Sequence, residues 1–173
     1  MGAATSVSFF FVAGLPAPQG SKSAYVRGGR AVIVDGSSKV GREKHHNWRN
    51  DVMVAAQNAL NGRATPFSGP TELEVTFYLP LPKSDPHRTR HTTAPDLDKL
   101  IRSVGDALVN SGLLKDDSLL YSIRAEKRYA RGSQQIGASI MLFDDSDDEF
   151  VDREMLKAEA KNCLLYTSDA ADE

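Results

Sequence analysis

The chain has 173 residues, 21 Lys and Arg against 23 Asp and Glu, 40% apolar residues and one Cys, the make-up of a single soluble globular domain without a disulfide scaffold. No apolar run approaches the ~18 residues of a membrane span, and residues 9–13 are too short for a secretory signal, so the expected location is the cytoplasm. Charge is uneven: residues 1–143 hold 18 bases against 12 acids and residues 144–162 hold eight acids against three bases, so the body suits a polyanionic partner.

Residues 1–6 are small and polar and read as a disordered N-terminus. Residues 7–12 are β-branched and aromatic, a strand that stops at the turn-rich loop of residues 14–20. Residues 24–27 and 30–34 form the arms of a hairpin, with Gly28 and Gly29 supplying the positive φ angles of a two-residue turn. From residue 46 to residue 60 the apolar positions Trp48, Val52, Ala55, Ala56, Ala59 and Leu60 recur at helical spacing, which predicts an amphipathic helix with Trp48 in the core.

Residues 72–79 alternate Leu73, Val75, Phe77 and Leu79 against polar neighbours, a half-buried strand. Residues 80–95 are a long polar loop bounded by prolines. Helical spacing returns over residues 97–109, and residues 119–130 and 134–143 read as two more strands. The order β, hairpin, α, β, α, β, β indicates an α+β fold: a small mixed sheet with two main helices packed on it. One domain then covers residues 7–143, and residues 144–162 form an acidic appendage with a short helix over residues 151–161. Residues 163–173 resemble the read-through translation of a transposon-end sequencing adapter and are set aside as a non-native tail.

The chemistry concentrates in Asp96-Leu-Asp98-Lys99 with Arg102 and Asp106 downstream, and in Asp116-Asp117-Ser118. Asp98, Arg102 and Asp106 lie at i, i+4 and i+8 and share one helix face, opposite Leu97, Leu100, Ile101, Val104 and Leu108. Spacing alone leaves two readings open. In one, Asp96 is an N-cap, Asp98 and Arg102 are a surface ion pair, and Asp116 and Asp117 belong to a turn. In the other, the carboxylates gather as hard oxygen ligands for Mg²⁺. His87 and His91 have i, i+4 spacing but no third ligand nearby, so zinc is not expected.

The Asp-Leu-Asp segment, the second Asp downstream, and the Asp-Asp-Ser that follows a short Gly-containing loop together resemble the core of the RusA-like Holliday junction resolvases of bacteria and phages. Residues 14–22 and the helix around Trp48 extend the resemblance over about residues 7–143. The resemblance implies catalytic, metal-holding carboxylates at Asp96, Asp98 and Asp117, and it puts Arg102 where the family carries a catalytic Lys. Lys99 stands in place of the usual Asn, and Asp106 and Asp116 take supporting positions.

The implied activity is Mg²⁺-dependent hydrolysis of paired phosphodiesters in a four-way DNA junction, with Mn²⁺ as an alternative ion. The implied assembly is a homodimer, because such a junction presents two symmetric strands. A nuclease for other branched DNA and a junction-binding protein without catalysis remain as alternatives. Clustered carboxylates repel DNA, so surrounding bases are required; Lys22, Arg27, Arg30, Lys83, Arg88, Arg90 and Lys99 are the expected phosphate contacts.

Overall fold

A computed structural model describes residues 7–20, 22–35, 38–63 and 65–144. The N-terminus of residues 1–6, the appendage beyond Asp144 with its expected helix, and the tail of residues 163–173 lie outside the described residues. Six strands and two helices follow the expected order: β1 (Val7–Ala13), β2 (Lys22–Arg27), β3 (Arg30–Asp35), α1 (Lys39–Asn61), β4 (Thr71–Leu79), α2 (Leu97–Ser111), β5 (Leu120–Tyr129) and β6 (Gly137–Asp144). No helix among the described residues is long and apolar enough to cross a membrane.

Among the described residues four strands form a sheet in the order β1-β6-β4-β5, and β2 pairs with β3 in a second, two-stranded sheet. The sheet is mixed: β4 runs antiparallel to β6 and parallel to β5, with Leu73 opposite Ile123 and Leu79 opposite Tyr129. A parallel pair requires a crossover. That crossover contains α2, which therefore runs back along β4 and β5. The α+β expectation, a small mixed sheet carrying two helices, is the observed architecture.

The core lies between one sheet face and the helices. Phe10 and Val12 of β1, Leu73, Val75 and Phe77 of β4, and Ile140 and Leu142 of β6 meet Trp48, Val52 and Ala56 of α1 and Leu100, Val104 and Leu108 of α2. Trp48 is core, as its position on the apolar helix face requires. α1 starts at Lys39, seven residues before the expected 46. Most of those residues face solvent and carry no apolar period, and the turn is started by the Ser38 hydroxyl, which accepts from the Gly41 N–H at 3.1 Å. In the hairpin, Gly28 (φ 59°) and Gly29 (φ 74°) both adopt the positive φ of a type I′ turn.

Candidate active site at the start of α2

Two restraints fix where α2 begins and ends. At its start, the Lys127 ammonium of β5 donates to the carbonyls of Thr93 and Pro95, each at 2.8 Å. At its end, Gly112 turns left-handed (φ 80°), and Phe67 and Leu114 bridge, with Lys115 N–H donating to Phe67 O at 3.0 Å. The helix between them has 15 residues, a length of about 22 Å.

Asp96 occupies the N-cap position with extended backbone (φ −68°, ψ 136°), yet its side chain caps no helix N–H. Its carboxylate instead meets the Lys99 ammonium at 2.7 Å. That hydrogen bond, then the Lys99 charge, holds the Asp96 carboxyl below the usual carboxylate range; reciprocally, Asp96 raises Lys99. Asp98 lies in the first turn, exposed, where the positive end of the helix dipole favours a carboxylate. Arg102 follows one turn later and is exposed. Asp96, Asp98, Lys99 and Arg102 thus share the first two turns of one helix.

Asp106 is half-buried and accepts from the Gln19 amide at 2.9 Å, while Gln19 N–H donates to Lys99 O at 3.1 Å. The loop of residues 14–20 therefore braces α2 directly behind the exposed acids. Sequence reasoning noticed that loop as part of a resemblance and did not see the brace, because a loop Gln carries no period.

Asp117 stands elsewhere. It opens a 3₁₀ turn (Asp117–Leu119) that leads into β5, beyond the far end of α2. Asp116 caps that turn by accepting the Ser118 N–H at 2.8 Å, and hydrogen bonding to Ser118 holds its carboxyl low. Within one chain, α2, about 22 Å long, runs between the pair Asp96 and Asp98 at its start and Asp117 beyond its end. Among the described residues no three Asp, Glu, His or Cys groups converge into a set that could hold a metal ion.

The expected phosphate contacts distribute around this helix. Lys83, Arg88 and Arg90 lie on the loop of residues 80–95, which passes the start of α2. Arg27 and Arg30 face each other in register at the hairpin turn. Lys22 is the first residue of β2, and its side chain lies outside the described residues.

Two open clefts flank the start of α2. One, of about 680 Å³, is walled by the loop of residues 15–20, Lys44, Pro80, His91 and Lys99. The other, of about 820 Å³, lies between residues 89–92 and β5 and includes Lys127, Arg128, Tyr129 and Arg131. Sequence reasoning missed those β5 residues. The available signal was Lys127 itself, which alternates with Ala125 and Tyr129 on the helix-facing side of a strand, where an apolar residue is expected.

The sequence model of the family described as "Endodeoxyribonuclease RusA" matches residues 17–140. A curated relative from Bacillus subtilis (strain 168), described as "Uncharacterized protein YqaN", is 30% identical over 133 residues, covering 70% of this chain and 87% of the relative.

Proposed function

The chain belongs to the RusA endodeoxyribonuclease family, and from that premise we propose that it is a divalent-metal-dependent endonuclease that resolves four-way DNA junctions as a homodimer. We place this role in recombination and repair, in the cytoplasm of a bacterial or phage-infected cell. The observation that carries the reading is the pair of exposed carboxylates, Asp96 and Asp98, at the positive end of α2 inside the family match.

These donors fit a hard cation. Mg²⁺ takes one or two carboxylates plus water and substrate phosphate rather than an all-protein cage, and Asp96 stays ionised across the neutral range. Mg²⁺ or Mn²⁺ held by Asp96 and Asp98 would activate a water and offset charge on the leaving oxygen. Arg102, fixed one turn from Asp98, offers a permanent positive charge to the phosphate oxygens as the fifth bond forms. Lys99 is held by Asp96 at the mouth of the site, close enough to exchange that partner for a phosphate.

The position of Asp117 supports the homodimer. One chain keeps it a helix length from the acid pair, whereas two copies related by a two-fold axis are able to set the acid pair of one beside Asp117 of the other. A junction-binding role without catalysis is favoured only by Arg102 in the place of the family's Lys.

The test is a labelled synthetic four-way junction incubated with the full chain, with Mg²⁺ and with a chelator. Paired symmetric nicks only in Mg²⁺ are expected. Tight binding without nicks in Mg²⁺ or Mn²⁺ would leave the non-catalytic reading in its place.

A further inference from the structure

The cleft beside β5 holds a positive charge that the fold immobilises without neutralising. Its cations are Arg90, Lys127, Arg128 and Arg131, and its one acid is Glu126. Arg128 meets Glu126 at 2.6 Å, so those two charges offset each other. Lys127 is held by the carbonyls of Thr93 and Pro95, and Arg131 by those of Pro86 and Arg88. A carbonyl fixes an ammonium or guanidinium in place but leaves its charge intact. Three fixed or nearby cations therefore share one cleft whose single lining acid is already paired with Arg128.

A second observation is independent of charge. Tyr129 is only 6% exposed and lines this cleft, and among the described residues its hydroxyl has no hydrogen-bond partner. An unpaired buried hydroxyl costs stability, and a ligand oxygen that accepts from it would remove that cost. Its ring neighbour His91, at 4.8 Å, has its basicity lowered first by burial and then by Lys127, so the imidazole adds no charge to the cleft at neutral pH. β5 is the outer strand of the sheet, so its outward N–H groups face no strand. Leu97 lines the cleft and Lys127 holds the Pro95 carbonyl, so the cleft adjoins the residues on either side of Asp96.

We propose that this cleft, with Arg90, Lys127, Arg131 and the Tyr129 hydroxyl around it, seats a backbone phosphate of the DNA strand that enters the acid pair at the start of α2. The proposal rests on the nuclease reading and gives it a strand path. A phosphate oxygen accepts from Tyr129, and the cations neutralise the charge that the carboxylates next to it would otherwise repel.

The experiment measures binding of a fluorescent four-way junction without divalent metal over a range of salt, for the full chain and for Tyr129→Phe and Arg90→Ala, beside the melting temperature of each. Tyr129→Phe keeps the buried ring and removes only the orphan hydroxyl. Its affinity should fall about tenfold while its melting temperature holds or rises, a pair of opposite signs that a purely structural tyrosine would not give. Arg90→Ala, at an exposed position, should fold normally, bind about three- to tenfold more weakly and lower the log–log salt slope by about one.

Wild-type affinity and salt slope in both variants would overturn the proposal, as would a clear loss of melting temperature in Tyr129→Phe with unchanged binding. Cleavage of the same junction by the wild-type chain in Mg²⁺ separates the two failures. A wild type that cuts while the variants bind normally loses the cleft and keeps the nuclease; a wild type that neither binds nor cuts loses both.

Discussion

The two ends of α2 carry the candidate carboxylates in opposite settings. At the start, Asp96 and Asp98 sit exposed on the positive helix end, one of them ion-paired with Lys99, with a basic cleft on one side and a mostly apolar one on the other. Beyond the other end, Asp116 spends its carboxylate on the Ser118 N–H, and Asp117 opens a short 3₁₀ turn. Acids that look alike in the sequence thus do different work. The start of α2 gathers charge for a ligand, and the far end uses one acid for local structure and leaves the other apart from the pair it is expected to join.

The largest expected effect tests whether both ends serve one reaction. Asp96→Asn, Asp98→Asn and Asp117→Asn each remove an anionic ligand and keep the shape, so Mg²⁺-dependent cleavage should fall by orders of magnitude while folding survives. Junction binding without metal should hold or tighten, because a charge facing the phosphates is gone. Asp106→Asn, at a half-buried carboxylate that accepts from Gln19, should be milder. Full cleavage by Asp117→Asn alone would confine the chemistry to the start of α2.

Complementation sharpens the same comparison. Mixing the inactive Asp98→Asn and Asp117→Asn chains and allowing subunits to exchange should restore cleavage if each site takes its acid pair from one copy and Asp117 from the other. The mixed dimer then has one intact site. If all three acids acted within one copy, both sites would stay damaged and no activity would return.

Arg102 ranks next. If it stabilises phosphate charge, Arg102→Ala should lose about 10²-fold in rate and Arg102→Lys should keep most of it, in single-turnover cleavage. A sharp gain in Arg102→Lys would point instead to proton transfer or tighter geometry, since a guanidinium does not give up a proton as an ammonium does.

How much of this was legible in the sequence follows from which signals are periodic. The apolar stripe of α2, the alternation of β4 and the Gly28 and Gly29 turn are local patterns, and each element stands where its pattern put it. Most of the first seven residues of α1 face solvent, which leaves no apolar stripe to read. Pairing direction was hidden, because β5 alternates in the same way beside a parallel or an antiparallel neighbour. From that pairing comes the course of α2, and with it the distance between Asp98 and Asp117. The basic cleft was hidden for a different reason: Arg90 and Arg131 meet only through the tertiary fold, and the Tyr129 hydroxyl counts as an orphan only once its surroundings are known.

The smallest expected effect is a pH dependence in which His91, near the start of α2, and the acids at its two ends titrate in separate windows. His91 has its basicity lowered in the folded chain by burial, then by Lys127 and Arg88. The unfolded chain, with an ordinary imidazole near pH 6.5, then binds the proton more readily, so protonation favours unfolding. Stability is unaffected by this group above about pH 7 and declines as pH falls through the ordinary histidine range. The carboxyls of Asp96 and Asp116 shift the other way, downward as acids; the stability they add is present above the usual carboxylate range and lost only as pH falls through their lowered values. The two windows are therefore separate. His91→Gln should flatten the decline in melting temperature between about pH 7 and 5 and leave the loss below pH 4 in place. DNA seated beside the Tyr129 ring should reverse part of the His91 shift, because a phosphate stabilises the imidazolium that Lys127 disfavours. An His91 NMR titration unchanged by junction DNA would separate the histidine from the cleft and leave the acids of α2 without a pH-sensitive neighbour.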